Sequence, residues 1–334
     1  GNILPHEHLL VDLRCYMVAP KTTQENKLAY KKIDLNNLWF SRHNLFNCEH
    51  NMLLDDEEMA VREVGYFRDS GGKTIVEVTP IGCGRNPLGM VKIAKLSGIN
   101  IIMGTSYYVA LSYSPEMKIE SKSEEDIAEE FIKEIQVGID ETGIKAGIIG
   151  EIGCSWPVDE REKKVLRAAG IAQQETGAVV SIHPGPDENA PFDHLKILEE
   201  VGADPSRVII CHMTRTFPPS ANIARAKLAE KGCYLEYDWF GRDGDQPASL
   251  ISRNERVNDV TRIFQIIDLV NEGYGDRILV SQDICFKVML RSYGGGGYGY
   301  ILDIAVPEMM RMGLSQQMIN TILVDNPRRA LSFI

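Results

Sequence analysis

The chain has 334 residues, 44% of them hydrophobic, 7% aromatic and 25% charged, with a formal net charge of −11 and a pI near 5.2. This is the balance of an ordinary globular protein, and an acidic surface disfavours nucleic acid and anionic membranes as partners. No apolar run approaches the roughly 18 residues of a membrane span, and seven irregularly spaced cysteines suit reduced thiols in a cytoplasmic protein rather than a disulfide framework.

No signal peptide is visible, and because the sequence begins at Gly1 without an initiator Met, a short upstream piece is expected. The first apolar run, Asn2 to Leu4, predicts strand 1 and leads into Pro5-His6-Glu7-His8-Leu9. Residues i and i+2 of a strand share a face, so His6 and His8 can grip one cation, and histidine is the commonest metal-binding side chain. A long polar and aromatic insertion, Arg14 to Asn51, carries Trp39, Phe40 and Phe46 and reads as a lid or binding loop. Thr74 to Val78 and Asn100 to Gly104 predict strands 2 and 3, with Tyr107 and Tyr108 just after. Ser123-Glu124-Glu125-Asp126 is a helix start that leads into Ile127, Phe131, Ile135 and Ile139. Gly147 to Glu151 predicts strand 4, followed by Trp156. A second helix start, Asp159 to Glu162, leads into Val165, Leu166, Ala169 and Ala172 and stops at Gly177. Ala178 to His183, Arg207 to His212, Cys233 to Tyr237 and Arg277 to Gln282 predict strands 5 to 8. The stretch from Phe286 to Tyr300 holds Gly294-Gly295-Gly296-Gly297. No Lys-Ser/Thr pair of a phosphate loop follows, so it reads as a flexible lid.

Eight nearly continuous apolar runs separated by amphipathic segments predict parallel strands buried on both faces. The expected fold is α/β, a closed (β/α)8 TIM-type barrel. It is read as one domain over 1–334, with the 14–51 insertion after strand 1 and the glycine-rich loop after strand 8. An open doubly wound sheet is the alternative, weakened by the lack of G-x-G-x-x-G after strand 1.

The ends of these strands carry the chemistry. Strand 1 leads to His6 and His8, strand 4 to Glu151, strand 5 to His183, strand 6 to His212 and strand 8 to Asp283. In a barrel these ends converge on one mouth. Six ligands exceed the four of one zinc but suit two metals about 3.5–4 Å apart. His6 and His8 share one cation, His183 and His212 take the other, and Glu151 is the natural bridge. Asp283 can bind the first metal and also accept a proton. The donor set suits two divalent ions, zinc before all, and also admits manganese, cobalt or iron. Asp238 is placed to support a metal-bound histidine from behind. Cys154, Cys211 and Cys285 read as small packing residues.

A small-molecule substrate is expected. Tyr107, Tyr108, Trp156, Trp239 and Phe240 are candidates for an aromatic pocket wall, and Arg215, Arg242 and Arg291 for a carboxylate or phosphate contact.

The pattern resembles the phosphotriesterase family of the amidohydrolase superfamily over nearly the whole chain. The resemblance rests on Pro5-His6-Glu7-His8-Leu9, Gly147-Ile148-Ile149-Gly150-Glu151-Ile152-Gly153, Ser181-Ile182-His183, Cys211-His212-Met213, Gln282-Asp283 and Asn326-Pro327-Arg328-Arg329-Ala330-Leu331. It implies a barrel with a binuclear centre, usually zinc, and carries metal roles onto His6, His8, Glu151, His183, His212 and Asp283. Many relatives dimerise, so a homodimer is expected. The organophosphate-degrading members bridge their metals with a carbamylated lysine on strand 4. Here that position is Glu151, and Lys145 lies ahead of the strand. A glutamate bridge looks like the phosphotriesterase-homology branch. The expected reaction is therefore hydrolysis of carboxylic esters or lactones by a bridging hydroxide, with phosphonate or phosphate esters as side substrates. A phosphotriesterase and an amidase on N-acyl compounds are the alternatives. A metal-binding protein without turnover is disfavoured, because it has no need of the proton acceptor Asp283.

Overall fold

A computed structural model describes residues 1–242 and 257–333. Eight parallel strands form one sheet in sequence order: β1 (Asn2–Glu7), β2 (Gly72–Glu77), β3 (Asn100–Thr105), β4 (Ile148–Gly153), β5 (Val180–His183), β6 (Val208–Ile210), β7 (Tyr234–Tyr237) and β8 (Ile278–Val280). Helices separate most of them, as the alternation predicts for a (β/α)8 barrel. The helix starts read from the sequence are real. Ser123 and Asp159 each cap a helix, Glu124–Gln136 and Glu160–Thr176, and each forms a capping box. Gly177 ends the second helix in the left-handed conformation.

One buried cluster takes a side chain from every strand or its immediate flank: Ile3, Val76, Ile102, Ile148, Val179, Ile209, Tyr234 and Leu279. This is the lumen of the barrel, filled as a core rather than left as a pore. Ala330, on the closing helix Asn326–Leu331, packs into the same cluster and plugs its lower end.

The seam between β8 and β1 is closed by Glu7, the residue between the two N-terminal histidines. Its Oε1 accepts from Ser281 Oγ at 2.7 Å and from the Gln282 amide at 2.9 Å, and its Oε2 from the Ile284 amide at 2.9 Å. The Asp283 amide adds a bond to the His6 carbonyl at 3.3 Å.

The 14–51 insertion contains two short helices, Thr23–Ala29 and Leu38–His43. Its two ends are clipped together by a two-residue antiparallel ladder between Val11–Asp12 and Leu53–Leu54, separate from the barrel sheet. The glycine-rich loop departs from the expected flexible lid and is stitched down. Glu63 accepts from the amides of Arg291 and Ser292, Gln282 Nε2 donates to the Gly297 carbonyl, and Tyr298 OH donates to the His8 carbonyl. These hydrogen bonds to buried partners make it a wall of the barrel mouth.

Candidate metal centre

Strict strand alternation would not aim every candidate ligand into the barrel. On β5 it does, with Val179, Ser181 and His183 in phase. On β1 the in-phase residue after Ile3 is Pro5. The register slips between Leu4 and Glu7, and this irregularity turns His6 and His8 inward. On β4 the register slips between Ile149 and Ile152, which brings Glu151 inside. The space for that slip comes from Gly104, where a Cβ would collide with the Gly150 carbonyl. On β6 the in-phase residue is Cys211, and His212 reaches the site through a left-handed backbone with φ of 56°. Asp283 is likewise left-handed, with φ of 49°. Two non-glycine residues in this conformation at one mouth mark a site whose geometry is imposed by its surroundings.

Glu151 is the hub. Its Oε1 lies 3.3 Å from His8 Nε2, and its Oε2 lies 3.1 Å from His183 Nδ1, 3.5 Å from His212 Nε2 and 3.6 Å from His6 Nε2. Asp283 Oδ1 lies 3.3 Å from His8 Nε2 and 3.9 Å from His6 Nε2. Its Oδ2 accepts from Trp239 Nε1 at 3.1 Å and pairs with Arg242 at 2.8 Å. His183 Nδ1 and His212 Nε2 stand only 2.7 Å apart. All six residues predicted as ligands thus meet at one point and are at most 8% exposed.

The donor chemistry fits divalent cations. Among the described residues three groups hold ligand atoms within 4.8 Å of one another, all sharing His6: His6, His8 and Asp283; His6, Glu151 and His212; and His6, Cys211, Glu236 and Asp238. His6 Nε2 is buried, faces both carboxylates and has no hydrogen-bond partner among the described residues. His8 Nδ1 is held by Thr79 Oγ1 at 2.9 Å, and Thr79 in turn donates to Glu77. That chain keeps a proton on His8 Nδ1 and turns Nε2 toward Glu151 and Asp283.

The electrostatics agree. Burial opposes ionisation of Glu151, yet His6, His183, His212 and His8 hold its carboxyl well below the usual range. Burial likewise opposes Asp283, but Arg242 and the facing histidines keep it anionic. Burial, then Arg215 and His212, pull His183 down to about 3, which leaves it neutral. His8 is the opposite case. Burial lowers it, but Asp283 and Glu151 outweigh that and push it up to about 9. In the metal-free protein, its cationic form therefore contributes stability that is complete below about pH 6.5 and disappears as pH rises through about 9. A metal must displace that proton. Zinc affinity measured against a competing chelator is expected to rise between about pH 6.5 and pH 9, by up to about tenfold per unit, with proton release seen calorimetrically. A flat profile across that interval would contradict this role for His8.

Beside the cluster lies a cavity of about 240 Å³, walled by Tyr16, Phe46, Tyr108, Trp239 and Phe286 and edged by Arg215 and Arg242. Tyr108 OH stands 3.3 Å from His183 Nδ1, and Arg215 Nη1 stands 3.0 Å from His183 Nε2. Tyr108, Trp239 and Arg215 all line this cavity. Trp156 lies outside it, bordering an adjoining recess that shares Tyr16, His183 and Arg215, and its ring packs against His194. Arg291 is also outside, because it pairs with Asp303, donates to the Gly296 carbonyl and lies over the Tyr66 ring. Tyr107 turns away to Glu130, and Phe240 lines a separate cavity beside the glycine loop. Cys154 is buried, Cys285 accepts from Arg242 at 3.5 Å, and Cys211 is hydrogen-bonded to Glu236 at 3.1 Å.

Sequence reasoning missed Glu77, Thr79 and Glu236. Glu236 carried a readable signal, since a carboxylate inside an otherwise apolar strand is costly unless it is paired. Asp238, which the sequence does single out, lies 3.0 Å from His212 Nδ1 and accepts from the His212 amide.

Among the described residues, no helix is long and apolar enough to cross a membrane. The phosphotriesterase family profile matches residues 1–331. An N-acetyltaurine hydrolase of Xenopus tropicalis is 40% identical over 100% of this chain and 94% of its own. A resiniferatoxin-binding protein of Rhodobacter sphaeroides superposes with a TM-score of 0.94 at 35% identity, covering 99% of this chain and 91% of its own. The lactonase Lmo2620 of Listeria monocytogenes superposes with a TM-score of 0.78 at 27% identity, covering 100% and 95%. With the profile spanning the barrel from the β1 histidines to the closing helix, this chain belongs to the phosphotriesterase family, a family of metal-dependent hydrolases.

Proposed function

We propose that this protein is a binuclear zinc hydrolase that cleaves the amide bond of a small N-acyl compound carrying an anionic end group. In this reading His6, His8 and Asp283 would hold one cation and His183 and His212 the other, with the Glu151 carboxylate available to both. The observation that carries the substrate class is Arg215. Its half-buried guanidinium edges the aromatic cavity and stands 3.0 Å from His183. A sulfonate or carboxylate on the substrate finds a fixed positive partner there, while a short acyl group fits the small apolar space. The name of the relatives, N-acetyltaurine hydrolase, describes a compound of this class.

Divalent cations held by this ligand set would supply Lewis acidity toward the carbonyl oxygen and would lower the pKa of water. The chain's own residues do the rest. Asp283, kept anionic by Arg242 and oriented by Trp239, takes a proton from the attacking water. It then passes that proton to the amide nitrogen, which is a poor leaving group until protonated. Tyr16, Phe46 and Phe286 keep bulk water from the reacting carbonyl.

A carboxylic ester or lactone substrate is the second reading, favoured by the mostly apolar wall and by the lactonase neighbour. Zinc-loaded protein assayed on N-acetyltaurine, N-acetyl amino acids, their neutral amide analogues, aryl esters and lactones separates the two. Anionic N-acyl compounds are expected to give the highest kcat/KM, with neutral analogues at least tenfold poorer. Preference for neutral esters or lactones would overturn the amidase assignment.

A further inference from the structure

Strand β7 supplies none of the six predicted ligands, yet it carries two inward carboxylates, Glu236 and, at its end, Asp238. They are two residues apart and share one face of the strand. Both are fully buried. Glu236 Oε2 lies 3.1 Å from His6 Nδ1 and accepts from Cys211 Sγ at 3.1 Å, and Cys211 Sγ is 3.0 Å from Ser181 Oγ. A polar chain thus runs from β5 through β6 to β7 and ends on the β1 histidine, just beneath the cluster. Glu236 Oε1 has no partner among the described residues. An apolar side chain of similar volume would fill this place at lower cost, so filling space does not account for a glutamate here.

What Glu236 does is settle the two ends of one imidazole. Its carboxylate can only accept, and Asp238 Oδ2 lies 3.6 Å from the same atom, so the proton His6 keeps when it ligates sits on Nδ1, and Nε2, which faces Glu151 and Asp283, is the end that gives up its proton to a cation. We infer that Glu236 is a positioning residue that commits His6 Nε2 to metal binding, with Cys211 holding the carboxylate oxygen in line. The inference rests on the metal-centre reading above. Cys211, which reads as a packing residue in the sequence, becomes part of the site's support.

The test is E236Q, measured by zinc competition with a chelator and by the visible spectrum of the cobalt-substituted protein. Glutamine keeps the volume and can still accept one hydrogen bond, but it lacks the charge. Zinc affinity is expected to fall about 10–100-fold for one of two equivalents. The cobalt spectrum is expected to change, and the melting temperature of the metal-free protein to stay within a few degrees. C211S, a milder change to the same chain, should lower affinity less and in the same direction.

The decisive measurement places E236Q in an H6A background, where the inference requires no further loss of zinc affinity. An equal loss with and without His6, or wild-type affinity in E236Q, would overturn the inference while leaving the hydrolase reading intact. Tight zinc binding that weakens as expected in E236Q, in a protein that cleaves no anionic N-acyl compound, would support the inference and sink the substrate assignment. A wild-type protein that binds no zinc would remove both.

Discussion

Replacing Glu151 by Gln is expected to abolish tight metal binding and reduce turnover by at least about 10³-fold. Among the described residues, Glu151 is the one carboxylate within 4 Å of all four clustered histidines, and no neighbour can substitute for its charge. Removing one partner of a buried ionic set typically costs about 3–5 kcal/mol, or roughly 10²–10⁴ in a binding constant. Metal content by elemental analysis after gel filtration measures the first effect. A second signature separates electrostatics from packing. Because the folded-state pKa of Glu151 is depressed, its contribution to metal-free stability is present above the ordinary carboxyl pKa and is lost as pH falls through its folded value. The stability gap between wild type and E151Q should therefore be widest near neutrality and close in acid. A gap independent of pH, or a variant that retains two metals, would remove Glu151 from the centre of the site.

The second large effect is expected at Asp283, where metal binding and proton transfer part ways. The asparagine of D283N keeps a carbonyl oxygen for the Oδ1 position near His8 but cannot take up a proton at neutral pH. In this variant kcat is expected to fall about 10²–10⁴-fold, the usual range for loss of a general base. Most of the metal should remain bound through the histidines and Glu151. The buried Arg242, now without its 2.8 Å ion pair, should cost the variant stability, so melting temperature must be measured alongside turnover. A D283N protein that stays folded, metal-loaded and as active as wild type would exclude Asp283 from proton transfer.

The ligand types were legible because each stands at a strand end where apolar patterning breaks off at His, Glu or Asp, and because parallel strands point all such ends one way. The supporting residues were less legible. Glu7 reads as a member of the histidine motif, yet its carboxylate faces the other way and closes the seam through Ser281, Gln282 and Ile284. No spacing within β1 announces partners some 275 residues away. Arg291 shows the converse. Its place in a loop at the mouth suggested substrate binding, but Asp303 twelve residues on captures its guanidinium.

The barrel, the helix caps and the six residues available as ligands can all be read along the chain, because burial period, capping chemistry and donor type are local properties. Where those residues aim is set by packing between distant segments. Plain alternation inside β1, β4 and β6 would have pointed Pro5, Gly150 and Cys211 into the mouth. Two register slips and a left-handed backbone at His212 bring His6, Glu151 and His212 there instead. Such slips depend on what neighbouring strands leave room for, as Gly104 does for the Gly150 carbonyl, and on carboxylates such as Glu236 that reach a histidine across the barrel. These contacts join segments up to 230 residues apart, and a linear pattern does not contain them.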